Sequence, residues 1–200
     1  MRAHVCLPTL ASKLPIPHPL PYFRRMPPTL SLAPATPADV PELEHLVNQA
    51  YRGDASRQGW TTEADLLDGT RVDAAELHQM LAAPGATILT GRNEQGELVA
   101  CAYLQAQPPQ LYLGMLSVQP TLQAQGVGRQ LLQAAEQHAR QHSCHRIKIT
   151  VISDRTELLA WYERHGYQRT GATEAFPTDP RFGVPRKPLV LLALTKSLAA

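Results

Sequence analysis

The chain has 200 residues, of which 44% are apolar, a formal net charge of +2, and three cysteines, Cys6, Cys101 and Cys144. No apolar run approaches the roughly 18 residues of a membrane-spanning helix, and few, scattered cysteines argue against a disulfide scaffold. We therefore expect a cytoplasmic protein with no membrane contact. Four of the 19 basic residues precede the first acidic residue, Asp39, and the remaining 15 face 17 acidic residues. This balance argues against binding to nucleic acid.

Residues 1–28 differ from the rest of the chain in composition. They contain seven of the 18 prolines, and this density interrupts both helical and strand periodicity. We therefore predict that residues 1–28 form a disordered or extended tail and that residues 29–200 form the folded domain.

The rest of the chain alternates between strand-like and helix-like segments. Apolar and alternating runs predict strands at residues 29–34, 86–92, 97–106, 110–118, 145–152, 167–171 and 188–196. Helical spacing predicts helices at residues 36–51, 73–83, 126–141 and 155–165. Among the end signals, Thr36 is expected to cap the first helix, and Asp154 is expected to cap the last one with Glu157 as its partner. This order predicts an α/β fold in which a mixed sheet has helices on both faces.

The stretch Gln123-Ala-Gln-Gly126-Val-Gly128 lies between the fourth strand and the third helix. The first N–H groups of a helix have no intrahelical partner, and the helix dipole adds roughly half a positive charge there. Glycines at this point remove the Cβ atoms that would keep a phosphate group away. The turn therefore predicts an anion site, with close packing of the helix start as the alternative.

Three phosphate-binding patterns can be compared with this turn. The G-x-x-x-x-G-K-[ST] loop is absent, and the dinucleotide pattern G-x-G-x-x-G fails because its last position is Leu131. The pattern [QR]-x-x-G-x-[GA] after a strand fits Gln123, Gly126 and Gly128. In this string the sequence resembles the GNAT superfamily of N-acetyltransferases, in which the motif holds the pyrophosphate of acetyl-coenzyme A.

A second string resembles the same superfamily. The segment "WYERHGY" (161–167) is similar to the GNAT pattern [LW]-Y-x-x-x-G-[FY], and the order of strands and helices also agrees across residues 29–196. The resemblance implies a GNAT-like mixed central sheet with splayed fourth and fifth strands. It also implies acetyl-CoA as co-substrate and direct transfer of the acetyl group to an amine in a ternary complex.

The resemblance also implies which residues contact acetyl-CoA. The backbone of the fourth strand would run along the pantetheine arm, and the glycine turn would surround the pyrophosphate. The residues so implied are Leu116, Ser117, Val118, Gln123, Ala124, Gln125, Gly126, Val127, Gly128 and Arg129. A main-chain N–H near Met115 or Leu116 would polarise the thioester carbonyl.

Tyr162 is the implied general acid. A phenol with an ordinary pKa of about 10 is protonated at neutral pH, and it can donate a proton to the departing thiolate of coenzyme A, whose thiol has a pKa of about 8.5. The alternative is a tyrosine that packs in the core.

The acceptor pocket is implied to lie against residues 51–69 and the loop before the last strand. Trp60, Phe176 and Arg181 are candidates for contact with the acceptor, and Glu63 is a candidate for the base that deprotonates the amine. Such a mixture of side chains suits a small polar or amino-acid-like primary amine. The alternative for Glu63 is a solvated or capping carboxylate.

Some features depart from the family or leave alternatives open. Relatives often carry an Asn where this chain has Arg155, which could reach a phosphate or the acceptor. We expect no metal at the cluster of His138, His142, Cys144 and His145, because a full ligand set is not evident.

The alternatives to the proposed enzyme are a non-catalytic acyl-CoA sensor and a protein N-terminal or lysine acetyltransferase. A homodimer is also left open.

Overall fold

A computed structural model describes residues 28–198 of the chain. The tail predicted for residues 1–28 lies outside the described residues, apart from Pro28, so the division into tail and domain stays a prediction. The carbonyl of Pro28 accepts a hydrogen bond from Gln130 Nε2 at 2.8 Å.

The described residues form one seven-stranded sheet. Its strands, β1 to β7 in chain order, are Ser31–Pro34, Ala86–Arg92, Leu98–Gln107, Gln110–Val118, Arg146–Ile152, Gln168–Ala175 and Val190–Ser197. They lie in the order β1-β2-β3-β4-β5-β7-β6. All neighbours are antiparallel except β4 and β5, which run parallel, so the predicted mixed sheet is confirmed. A separate two-residue pair joins Leu67–Asp68 to Val184–Pro185.

Four longer helices pack on this sheet. They are α1 (Val40–Tyr51), α2 (Ala74–Ala82), α3 (Val127–Gln141) and α4 (Thr156–Arg164). Single helical turns lie at Pro37–Asp39, Gly53–Ser56, Pro120–Leu122 and Pro180–Phe182. Within residues 28–198, no helix has the length and apolarity that crossing a bilayer requires.

The predicted capping residue is found before the first helix and fails at the last. Thr36 caps the single turn Pro37–Asp39 that leads into α1, and it forms a capping box with Asp39, in which the Thr36 N–H donates to Asp39 Oδ2 at 2.7 Å. At α4 the N-cap position is Arg155, so the prediction that Asp154 caps this helix is wrong. The Asp154 carboxylate instead lies 2.6 Å from Lys187 Nζ.

The core consists of two main apolar clusters on opposite faces of the sheet. On β3, Ala102 and Leu104 belong to the cluster that contains α3 and α4 residues, whereas Cys101 and Tyr103 belong to the cluster that contains α1 and α2 residues. This alternation is the period of two expected for a strand that is buried on both faces. Helices therefore cover both faces of the sheet, as predicted.

Two irregularities of β4 shape the region that follows. First, β4 pairs with β5 only from Gln110 to Tyr112, so the two strands splay apart beyond that point, as predicted. Second, β4 bulges at Met115, which has a φ of 49°. Leu113 faces the cluster of α3 and α4, but Met115 faces that of α1 and α2. A bulge inserts one residue into a strand and changes the direction of the residues that follow it. The end of β4 therefore turns its backbone towards the gap between β4 and β5.

Candidate active site

Two cavities lie where β4 and β5 part. The first, here called the turn cavity, has a volume of about 410 Å³ and is lined by the glycine turn, the end of β4 and α4. The second, here called the inner cavity, has a volume of about 200 Å³ and lies between β4, β5, the segment after α1 and the loop before β7. The two cavities adjoin, because both are lined by Tyr51, Leu116, Arg155, Leu158 and Tyr162.

The glycine turn presents the start of α3 to the turn cavity. Gly126 is the N-cap of α3 with a φ of 87°, a conformation that favours glycine, and it is exposed. Arg129 and Arg164 also line this cavity, and its lining within the described residues contains no acid. A helix N-terminus with two nearby guanidinium groups favours an anion. Packing contributes as well, since a Cβ on Gly128 would lie 3.3 Å from Trp161 Cζ2.

Gln123 joins the segment after α1 to the end of β4. Its Oε1 accepts a hydrogen bond from the Trp60 N–H at 3.0 Å, and its Nε2 donates to the Val118 carbonyl at 3.2 Å. Gly59 permits this approach, because a Cβ there would collide with the Gln123 amide. The Gln123 side chain therefore positions the wall of the cavity, and its contact with acetyl-CoA stays a prediction.

Tyr162 lies between the two cavities. Its side chain is buried, it packs edge-on against Trp161 and Tyr167, and it lines both cavities. Within residues 28–198 no group is hydrogen-bonded to its hydroxyl. Burial, with a smaller contribution from Tyr51, raises the pKa of Tyr162 well above its ordinary value of 10. The phenol is therefore protonated throughout the neutral range and can donate a proton.

Two side chains hold the bulge of β4 in place. The Tyr51 hydroxyl donates to the Leu116 carbonyl at 3.0 Å, and the buried Ser117 hydroxyl donates to the Met115 carbonyl at 3.1 Å. Burial raises the pKa of Tyr51 to about 12, and nearby Glu63 adds to the rise. Tyr51 is therefore a permanent donor at neutral pH, and it fixes the backbone beside Tyr162.

Glu63 lies in a buried ionic triad. Its carboxylate contacts Arg52 on one oxygen and Arg155 Nη1, at 2.6 Å, on the other. All three side chains are at least nine-tenths buried. Removing one member of such an arrangement leaves uncompensated buried charge. The triad therefore fixes the segment after α1 against the start of α4.

Arg155, for which the sequence left two roles open, is held by several contacts. Besides Glu63, its guanidinium donates to Thr61 Oγ1 at 2.8 Å and lies 5.6 Å from the centre of the Tyr51 ring. These contacts position Arg155 between the two cavities. Arg155 therefore holds the segment after α1 against the start of α4 and lines both cavities.

The other predicted acceptor contacts lie in different places. Phe176 lines the inner cavity, whereas Trp60 is 39% exposed and lines the turn cavity. Arg181 is exposed, pairs with Asp179 at 2.6 Å, and belongs to the lining of neither cavity in the described chain. We therefore do not propose that Arg181 contacts the acceptor.

Three residues of the site, Tyr51, Arg52 and Arg71, were missed from the sequence. All of them line the inner cavity. Tyr51 and Arg52 lie at the C-terminus of α1, where the predicted acceptor segment begins. Tyr51 and Arg52 fall within residues 51–69, the segment that the resemblance marks as the acceptor side, whereas Arg71 lies two residues beyond it.

Two rings of the histidine cluster at the end of α3 pack on each other. The His138 and His142 rings stack with their centres 4.1 Å apart. In the part of the chain that the structure describes, no three His, Cys, Asp or Glu side chains are grouped as metal ligands would be.

Comparison with known families agrees with this fold. Residues 42–167 match the model of the acetyltransferase (GNAT) family. The chain belongs to the GNAT acetyltransferase family. This confirms the resemblance found in the glycine turn and the tyrosine helix. The family uses acetyl-CoA, so acetyl-CoA is the expected co-substrate of this GNAT protein.

One curated protein resembles part of this chain. A stretch of 76 residues is 30% identical to the uncharacterized protein YdhI from Bacillus subtilis (strain 168). It covers 38% of this chain and 46% of YdhI, so the match spans about half the length of that relative.

Two solved structures share the fold. A ribosomal-protein-alanine N-acetyltransferase from Brucella melitensis is 24% identical with a TM-score of 0.61, over 84% of this chain and 100% of that one. The yncA protein from Salmonella typhimurium, solved with its cofactor acetyl-CoA, is 21% identical with a TM-score of 0.59, over 86% of this chain and 95% of that one. At these identities the likeness establishes the fold alone.

Proposed function

We propose that this protein is an acetyl-CoA-dependent N-acetyltransferase that transfers the acetyl group directly to the primary amine of a small acceptor in a ternary complex. The observation that carries the proposal is the meeting of the two cavities at Tyr162 and Leu116. One cavity has an anion-binding helix start, the other is of acceptor size, and a protonated phenol lies between them.

The turn cavity is the proposed site for acetyl-CoA, which supplies an activated acetyl thioester when bound. The start of α3, from Ala124 to Arg129, binds the pyrophosphate, and Gln123 holds the adjoining wall. Leu116, Ser117 and Val118 pair through their backbone with the pantetheine arm. The absence of acids from the lining of this cavity, within the described residues, supports the fit to a phosphate-bearing ligand.

Tyr162 is the proposed general acid. In the transfer, the unprotonated amine nitrogen forms a bond to the acetyl carbon, the carbon–sulfur bond breaks, and the sulfur takes the proton of the Tyr162 hydroxyl. The nitrogen loses one proton as it becomes an amide, and this proton returns the Tyr162 phenolate to its neutral form. A main-chain N–H at the Met115–Leu116 bulge stabilises the negative charge on the acetyl oxygen. The position of Tyr162 between the two cavities supports this role, and its hydroxyl carries a proton at neutral pH.

Glu63 is retained as the candidate base that takes the proton from the acceptor ammonium. It lines the inner cavity, but both of its oxygens contact arginines. Proton transfer through a water molecule would let the carboxylate keep those contacts. The same contacts also give Glu63 a structural role.

The inner cavity favours a small acceptor over a protein chain. Its volume of about 200 Å³ is below the roughly 300–1,000 Å³ of pockets for drug-sized ligands. It is also walled by residues from several elements, including Phe176, Phe182 and Leu191. A free amino-acid-sized amine suits this space better than the N-terminus of a folded substrate protein.

Turnover with a panel of amines tests the proposal. We expect coenzyme A to be released from acetyl-CoA at least roughly tenfold faster with an accepted primary amine than without amine, because positioning of the two reactants accelerates transfer. The measurement is thiol release, with the acetylated amine identified by mass spectrometry. Tertiary amines of similar size are the matched controls, since they cannot form a stable amide. Binding of acetyl-CoA without amine-dependent release would favour the non-catalytic sensor instead.

A further inference from the structure

We propose that the acceptor carries a carboxylate as well as its amine, and that Arg71 binds this carboxylate in the inner cavity. The inference rests on the proposed function and names the substrate class of that site: an amino acid or a closely related amino carboxylic acid. Arg71 is thus a specificity-determining residue.

The charge of the inner cavity is unbalanced. Three guanidinium groups line it, those of Arg52, Arg71 and Arg155, and Glu63 is the acid among its described lining residues. Glu63 already contacts two of the three arginines. Burying further cations without partners is costly. An acceptor with an anionic group would restore the balance, whereas a purely cationic amine would add to the excess.

Arg71 is the arginine that is free to bind a ligand. Within residues 28–198, its guanidinium takes part in no ion pair or hydrogen bond, and the nearby acids Asp73 and Glu76 do not pair with it. Its guanidinium carbon lies 5.6 Å from the centre of the Tyr51 ring. A half-buried guanidinium over an aromatic ring presents its donors in one plane, the geometry that suits a carboxylate.

The backbone at Arg71 is also fixed. Asn48 Oδ1 accepts from the Arg71 N–H at 2.6 Å and from the Val72 N–H at 3.3 Å, and Asn48 Nδ2 donates to the Val72 carbonyl at 3.0 Å. The two arginines of the ionic triad also have unused hydrogen-bond donors. The Nε atoms of Arg52 and Arg155 are buried and have no partner among the described residues.

The groups that such an acceptor needs line one cavity. Tyr162 and Leu116, where the acetyl group would be transferred, share the inner cavity with Arg71. Apolar side chains of Phe176, Phe182 and other residues complete its wall. We infer that the amine lies at Tyr162, the carboxylate at Arg71 and a small side chain against the apolar wall.

Paired acceptors test this inference. The panel consists of α-amino acids and their α-carboxamides, which have nearly the same shape but lack the negative charge, and it is compared at a pH where the amine of each is ionised to the same extent. We expect the wild type to prefer the acids over the amides in kcat/KM by roughly 30-fold or more, the effect of losing one partner of a desolvated charged pair. Arg71→Gln should lower kcat/KM for the acids, mainly by raising KM, and should remove the preference. Arg71→Lys should retain part of it.

Arg57→Gln is the matched control variant. Arg57 lies in the same segment, but it is exposed, pairs with Asp65 at 2.8 Å and lines neither cavity in the described chain. The Arg57→Gln variant should keep the wild-type preference for acids over amides. Titration of acetyl-CoA by calorimetry should give the same affinity for wild type and Arg71→Gln, which excludes a general loss of structure.

The outcomes separate this inference from the proposed function. Equal use of acids and amides by the wild type, or an unchanged preference in Arg71→Gln, would overturn the role of Arg71. Binding of acetyl-CoA with no turnover of any acid in the panel would also overturn it. Failure of the wild type to bind acetyl-CoA would instead overturn the proposed function on which it rests.

Discussion

Replacing Tyr162 by phenylalanine is expected to lower kcat by roughly 10²- to 10⁴-fold, the usual contribution of a general acid, without changing the affinity for acetyl-CoA. The ring stays in place against Trp161 and Tyr167, and only the hydroxyl that faces the cavities is lost. The thiolate then leaves without a proton donor. Single-turnover kinetics with a saturating amine, together with calorimetric titration of acetyl-CoA, measures both quantities.

Tyr167→Phe is the control for this change. Tyr167 lies beside Tyr162, with ring centres 5.3 Å apart, but it lines neither cavity in the described chain, and its buried hydroxyl has no partner there. The control should keep its activity. Wild-type-like turnover in Tyr162→Phe would mean that Tyr162 is only a core residue.

The pH dependence gives a second readout for Tyr162. A general acid must be protonated to act, and burial raises its pKa well above 10. The decline of kcat that comes from its deprotonation should therefore begin only above about pH 10. A decline centred in the neutral range would assign the acid to a different group.

Replacing Glu63 by glutamine is expected to lower the free energy of unfolding by roughly 3–5 kcal/mol, as found when one partner of a buried ion pair is removed. The change leaves the guanidinium groups of Arg52 and Arg155 buried without their anion. Urea denaturation measures the loss. Adding Arg52→Gln to Glu63→Gln should recover part of the stability, because one unpaired charge fewer is then buried.

Asp65→Asn is the matched control, since Asp65 pairs with Arg57 on the surface of the same segment. Exposed ion pairs contribute little to stability, so this variant should unfold at the wild-type urea concentration. If Glu63→Gln were as stable as the wild type, the triad would not hold the segment after α1 in place.

The same Glu63 variant tests the proposed base. At temperatures where Glu63→Gln is folded, loss of a base should lower kcat and remove the rise of kcat with pH that the base causes. Unchanged kcat and pH profile in the folded variant would leave Glu63 with its structural role alone.

Local signals in the sequence predicted most of the fold. The second helix was predicted at 73–83 and lies at Ala74–Ala82, because Asp73 caps it and Pro84-Gly85 follows it. The glycine turn is also predictable from the local sequence, because Gly126 has the positive φ that only glycine adopts easily. Such features depend on residues close together in the chain.

Features that depend on distant residues were missed. The positive φ of Met115 is set by pairing across the sheet and by packing, and methionine gives no local sign of it. The triad joins Arg52 and Glu63 to Arg155, about 90 residues further along the chain. The pairing of Leu67–Asp68 with Val184–Pro185 is too short to leave a periodic pattern.

The most direct test of the account is calorimetric titration of acetyl-CoA into the wild type, Gly126→Trp and Gly96→Trp. Both glycines have positive φ, 87° and 81°, so both variants carry the same backbone strain, but Gly96 lies in the turn between β2 and β3 with open space around it. We predict micromolar binding by the wild type and Gly96→Trp, and loss of binding in Gly126→Trp, because the indole occupies the start of α3. Absence of binding by the wild type, or unchanged binding by Gly126→Trp, would contradict the assignment of the glycine turn as the anion site.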